Sequence, residues 1–276
     1  MNMQRSMLAV LLASTIAMPA ISAEQGGINA EQGITTAIPM PVANNAEADA
    51  QLSAEELAKQ QAAEQAQKQL EAIIGASGLE GLGEQARNLA QQVLNETQAP
   101  LGFQYDVVDR LTPLWAPVAL QNTLASALAS LDDQQRELLQ STLNSRRLQN
   151  ARSKELSAIA DQDNRNYQDY ISRLRQQPPA PARVALIKQL DEAMQFSALL
   201  SVTRSSVYPQ LQAVLRNWQP PQDWQAGLQR DVTEFLLYVH RTTPNDELQR
   251  LAQAYREPVL QQWLAGVKKS LSRQAG

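Results

Sequence analysis

The chain has no cysteine, one histidine and 5% aromatic residues in a length of 276. Without thiols there is no disulfide framework, no thiol catalysis, no cysteine-held metal cluster and no lipid-modified N-terminal cysteine. With His240 as the sole imidazole, a Ser/His/Asp system or a histidine zinc site would have to centre on it, and no HExxH pair exists. Positive charge is in short supply as well. Lys and Arg number 24 against 28 Asp and Glu, a formal net charge of -4, so no overall field draws the chain onto a polyanion. Nucleic acid is not an expected partner. Strand signals are missing too: no alternating β-branched run is bounded by turn residues, and neither Asn-Gly nor Asp-Gly occurs.

What is present begins with an export signal. Arg5 precedes an apolar stretch from Met7 to Met18, Pro19 breaks it, and Ala20-Ile21-Ser22-Ala23 supplies small residues for cleavage. The stretch falls short of the ~20 apolar residues that span a bilayer, and no later segment stays apolar that long. Residues 1–23 therefore read as a signal peptide, with the mature chain periplasmic or secreted and without a transmembrane segment. Residues 24–50, rich in Ala, Asn, Gln and Gly with Pro39 and Pro41, read as a disordered leader.

The remainder follows a helical period. Ser53 with Glu56 suggests a capping box opening a helix over 52–74, stopped by Gly75. Leu79, Leu82, Ala86, Leu89 and Val93 form the stripe of a second helix that ends before Pro100. A third runs from Phe103 through Val107, Leu111 and Trp115, with a break expected near Thr112 because Pro113 and Pro117 lack N–H donors. Asp132 caps a helical stretch carried to Gln177, which Pro178, Pro179 and Pro181 end. The fold class is all-α.

Sliding the sequence on itself suggests two tandem, divergent helical repeats of about four helices each. An offset of 120 residues pairs Lys68-Gln69-Leu70-Glu71 with Lys188-Gln189-Leu190-Asp191. An offset of 121 pairs Pro100 with Pro221, Phe103 with Trp224, Val107 with Leu228, Leu111 with Val232 and Trp115 with Leu236. It then falls to 112, pairing Leu139 with Leu251, Leu143 with Tyr255 and Leu148 with Leu260. The expected organisation is repeat 1 over 51–155, a bridging helix and Pro-rich linker over 156–182, and repeat 2 over 183–276. Two small cores or one shared core both suit this length.

In the second half, Thr243-Pro244-Asn245-Asp246-Glu247-Leu248 followed by Ala254-Tyr255-Arg256-Glu257-Pro258 resembles a pattern in exported bacterial all-helical proteins of a family of unknown function. The resemblance covers roughly residues 184–271 and, more faintly, 68–148. Ala254 departs from the pattern, and so do Val259 and Leu260 after the proline. It implies an exported helical module and no particular activity.

Chemistry-bearing motifs are few. Asp161-Gln162-Asp163 opens like a calcium loop, but Arg165, Asn166 and Ser172 stand where an oxygen ligand, Gly and the bidentate Glu belong. Gly75-Ala76-Ser77-Gly78 is no nucleophile elbow, and Gly78, Gly81 and Gly83 lack the Lys-Ser/Thr of a phosphate cradle. Neither a cofactor nor a metal is expected. His240, near a helix end where the dipole favours a cation, reads as structural. Trp218-Gln219-Pro220-Pro221-Gln222-Asp223-Trp224 reads either as a glycan platform or as a rigid corner with Asp223 as N-cap. The last helix, with Lys268, Lys269 and Arg273, reads as an ordinary basic C-terminus or as a membrane-surface helix.

Two functional expectations follow. The first is a non-catalytic protein-interaction or scaffolding module of the bacterial envelope, its candidate surface marked by Trp218, Trp224, Tyr255 and Trp263. The second is an envelope-polymer binding protein or hydrolase, which demands a pocket with two carboxyl groups converging near Trp218 or Trp224.

Overall fold

The computed structural model describes the backbone of residues 45–274 and the side chains of residues 56–273, and within them all regular structure is α-helical. The helices are α1 (Asn45–Ser77), α2 (Gly81–Glu96), α3 (Leu101–Trp115), α4 (Pro117–Leu128), α5 (Asp133–Leu143), α6 (Arg146–Ala160), α7 (Arg165–Gln176), α8 (Pro181–Met194), α9 (Phe196–Val214), α10 (Trp224–Val239), α11 (Asn245–Tyr255) and α12 (Pro258–Gln274). None of the described helices is long and apolar enough to cross a membrane. The expected signal peptide over 1–23 and the expected leader as far as residue 44 lie outside the described residues.

α1 starts inside the expected leader, so Ser53 lies within the helix rather than capping it. Its stop also differs. The helix passes Gly75 and ends at Ser77, because the left-handed residue is Gly78, with φ 75°. The Ser77 hydroxyl donates to the Ile74 carbonyl at 2.6 Å and accepts from Leu79 N–H at 3.1 Å, serving groups the turn would leave bare. The described residues up to Gln69 form a unit of their own. Within them, side chains from Glu56 to Lys68 are exposed, Leu57 included.

From Leu70 onward the described helices make one compact unit. α2 buries Leu82, Ala86, Leu89, Ala90, Val93 and Leu94, the stripe its spacing predicts. The chain break expected near Thr112 falls instead at Ala116, whose φ -61° and ψ 147° are extended because Pro117 follows. Pro113 stays inside α3. The Thr112 hydroxyl donates to the Val108 carbonyl at 2.8 Å, and buried Leu111 and Trp115 hold the helix on either side of the proline. Asp132 caps α5 in a full capping box with Gln135. The helical stretch expected up to Gln177 is interrupted twice, giving α5 to α7.

Helix ends keep the sequence offset in places. Asp133–Leu143 and Asn245–Tyr255 are both 11 residues long, and α6 and α12 begin 112 residues apart at Arg146 and Pro258. Packing keeps it in places as well: α11 lies against α6 as α5 lies against α12, and α9 lies against α10 as α2 lies against α3. The buried apolar residues of both halves join in one cluster. Its axis is α9, which packs against α2, α3, α8, α10 and α12 and buries Leu199, Leu200, Val207, Tyr208 and Leu211. α7 is fastened to α10: Arg175 forms a two-point ion pair with Glu234 at 2.8 and 3.0 Å, and the Tyr170 hydroxyl donates to the Leu237 carbonyl at 3.1 Å.

α2 approaches the end of α3 at Gly83, where a Cβ would stand 2.8 Å from the Trp115 carbonyl oxygen. A backbone oxygen cannot swing aside, and the Arg87 guanidinium also donates to it at 3.3 Å. Gly83→Ala is therefore expected to destabilise by about 1–3 kcal/mol, although alanine favours helix. Urea unfolding reads this directly. A neutral or stabilising result would mean that α2 and α3 do not touch there.

Candidate functional site

Three places in the described residues carry the side chains that sequence reading singled out or missed. The first is the corner between α9 and α10. Tyr208, buried on α9, stands 5.5 Å from the Trp218 ring and 5.3 Å edge-on from Trp224. Both Trp residues are half-buried, so part of each ring surface is already spent on Tyr208. Asp223 is the N-cap of α10, as the corner reading expects, but its side chain makes no capping hydrogen bond. An open depression that reaches Gln225, next in the chain to Trp224, includes Asp191 and Glu192. Its two acids are chain neighbours, and Asp191 accepts from the Ser197 N–H at 2.8 Å and from its hydroxyl at 2.7 Å. That carboxylate anchors the start of α9, and burial raises its pKa.

The second place is a partly open pocket of about 70 Å³ lined by α5, α6 and α8 to α12 beside the α1–α2 turn. Tyr255 and Trp263 both line it, together with Phe196, Phe235 and Glu155. Trp263 is 0% exposed, which removes it from any partner surface. The stripe of α12 that carries it faces inward, where apolar area is worth most. Tyr255 is half-buried, and burial together with the Glu155 charge raises its phenol pKa well above the ordinary value. Sequence reading missed Glu155. A signal was there: Leu148, Ala151, Glu155 and Ala158 share one face of α6, so a carboxylate sits in an apolar stripe. Glu155 is 8% exposed, and burial drives its pKa up to about 7 against the smaller opposing effect of Arg152.

The third place is the outer side of α3. Leu101, Tyr105 and Val108 recur at intervals of four and three residues and are 69%, 69% and 56% exposed. They form one exposed apolar stripe flanking the row of core residues Val107, Leu111 and Trp115. Val118, at the start of α4, is exposed as well, whereas Val239, 121 residues further along the chain, is buried.

His240 is not the helix-end cation that the dipole argument favours. It is 1% exposed, and burial, helped by Lys154 and Arg183, lowers its pKa to about 4. Its Nδ1 lies 3.3 Å from the Thr243 hydroxyl, to which Lys154 donates at 2.9 Å, while Arg183 donates to the His240 carbonyl at 2.5 Å. Asp161 is likewise engaged, accepting from the Tyr238 hydroxyl at 2.9 Å and from the Asn164 amide at 3.2 Å. Among the described residues no group of three or more His, Cys, Asp or Glu could hold a metal ion. No protein-family model, no curated protein and no solved structure matches the chain.

Proposed function

We propose that this chain is an exported, non-catalytic interaction module of the bacterial envelope, which receives an apolar helix of a partner protein along the outer face of α3. The observation that supports it is the stripe of Leu101, Tyr105 and Val108, three large apolar side chains in helical register and each more than half exposed. Isolated exposed apolar residues need no explanation, but an ordered row on one helix face suits helix-in-groove or helix-on-helix recognition. Export rests on the Arg5 to Ala23 signal and on the resemblance to exported helical proteins. The glycan and hydrolase reading has no comparable support, because Asp191 is occupied by Ser197 and the Trp218–Trp224 corner closes on Tyr208.

A photo-crosslinking side chain at position 105 in the native host tests the proposal, with the same substitution at exposed Gln91 as control. A discrete crosslinked species at 105, absent at 91 and abolished by Leu101→Asp with Val108→Asp, is expected. Equal yields at the two positions would end the reading. A product of twice the chain mass would identify a second copy as the partner and remove the other-protein part of the proposal.

A further inference from the structure

Two residues that line the pocket beside the α1–α2 turn each carry a buried polar atom with no protein partner. The atoms are Glu155 Oε1, on a residue 8% exposed, and Trp263 Nε1, on a residue 0% exposed. Buried polar groups in native folds are nearly always satisfied, so an acid and an indole N–H left open in the lining of one pocket imply something that completes both. The cavity of about 70 Å³ has room for roughly five water-sized groups.

The lining chemistry narrows the guest. Indole N–H can only donate, and the Tyr255 phenol is held in its protonated, donating form. Glu155 keeps its proton until about neutrality and so donates as well. Arg152, one turn earlier on α6 and itself poorly solvated, adds positive potential beside Glu155. Donors and positive potential call for acceptor oxygens carrying negative charge. The remaining wall, including Phe196, Leu199 and Phe235, calls for a short hydrocarbon body. An ammonium would leave the indole N–H unpaired and place like charge near Arg152.

We propose that this cavity is a binding site for a short-chain monocarboxylic acid of about five non-hydrogen atoms, held by Glu155 and Trp263 Nε1 with its alkyl chain against Phe196 and Phe235. The guest carboxylate accepts from Trp263 and shares one proton with the Glu155 carboxyl. Charged and titratable groups near that proton are Arg152 on α6, Tyr255 from α11, and Glu80, before α2, which acts on Arg152. The cavity walls from α5, α8, α9, α10 and α12 bring only uncharged side chains.

Sodium propionate titrated into the full chain, followed by indole N–H resonances and by calorimetry, tests the site. The expected result is a saturable shift of the Trp263 resonance, assigned by its loss in Trp263→Phe, with binding about tenfold weaker at pH 8 than at pH 6. Glu155→Gln, which keeps a donor and removes the titration, is expected to bind with no such pH dependence. Absence of saturation at millimolar propionate, equal or tighter binding of propylamine, or an unchanged pH dependence in Glu155→Gln would each overturn the proposal. A propionate-soaked crystal showing only water between Glu155 and Trp263 would do the same.

Discussion

Trp115→Ala is expected to destabilise the protein by about 3–5 kcal/mol, the range for deleting a buried large aromatic. Trp115 is 2% exposed at the end of α3, and its indole N–H donates to the Ser206 hydroxyl on α9 at 3.0 Å. Ser206 in turn donates to the Thr203 carbonyl at 2.8 Å, so its own donor stays satisfied after the truncation. The loss is therefore mainly lost apolar burial and the cavity left behind, with a smaller part from the hydrogen bond. For a unit of this size the midpoint temperature should fall by about 10 °C. Because α9 belongs to the second half of the chain and α3 to the first, the same variant examines the shared core. A single cooperative transition at lower urea is expected from both tryptophan fluorescence and far-UV dichroism. A loss below about 1 kcal/mol, or two separated transitions, would show that the halves do not share the packing described.

Glu155→Gln is expected to stabilise the protein by about 3 kcal/mol at pH 8 and to have little effect at pH 4.5, in buffers free of carboxylic acids. The folded pKa of about 7 stands above the ordinary value of 4.5, and the cause is burial. Between those values the folded chain holds a proton that the unfolded chain has released, so stability falls as pH rises. Above neutrality the folded state carries a buried, unpaired carboxylate, a cost that the neutral amide removes. His240 works in the opposite direction. Its folded pKa of about 4 lies below the ordinary 6.5, so its contribution is present above pH 6.5 and is lost as pH falls toward 4. The two slopes oppose each other between pH 4.5 and 6.5, and Glu155→Gln should unmask the histidine slope. The difference between wild type and variant across pH 4.5 to 8 isolates Glu155 from the other acids whose pKa values burial raises, Asp191 and Asp231 among them. A pH-independent difference would mean that Glu155 reaches water.

Helix positions were legible wherever a local signal acts through the backbone alone. Asp132 with Gln135 makes a capping box from neighbours in sequence, and Pro117 sets the conformation of Ala116 without help from elsewhere. Proline failed as a predictor at Pro113 because Leu111 and Trp115 are buried on both sides of it, and packing outweighs one missing N–H. Gly75 failed as a stop because a helical glycine is permitted, whereas Gly78 is the residue in the left-handed region. The aromatic markers divided by environment. Trp218 and Trp224 close on Tyr208, and Trp263 disappears into the core, since large apolar rings mark buried positions at least as well as binding surfaces.

Composition and periodicity by themselves determined that this chain is all-α and that its stripes must pack, because the 3.6-residue period is written locally and each amphipathic face requires a partner. Tertiary structure alone decided which faces meet. It placed α9 at the centre of one core, left Leu101, Tyr105 and Val108 uncovered, and brought Glu155 and Trp263 to the lining of one pocket. A helical period gives the direction of a side chain around its own axis and carries nothing about the neighbouring axis. Burial, pKa shifts and cavities are made between helices, so they appear only once the helices are assembled.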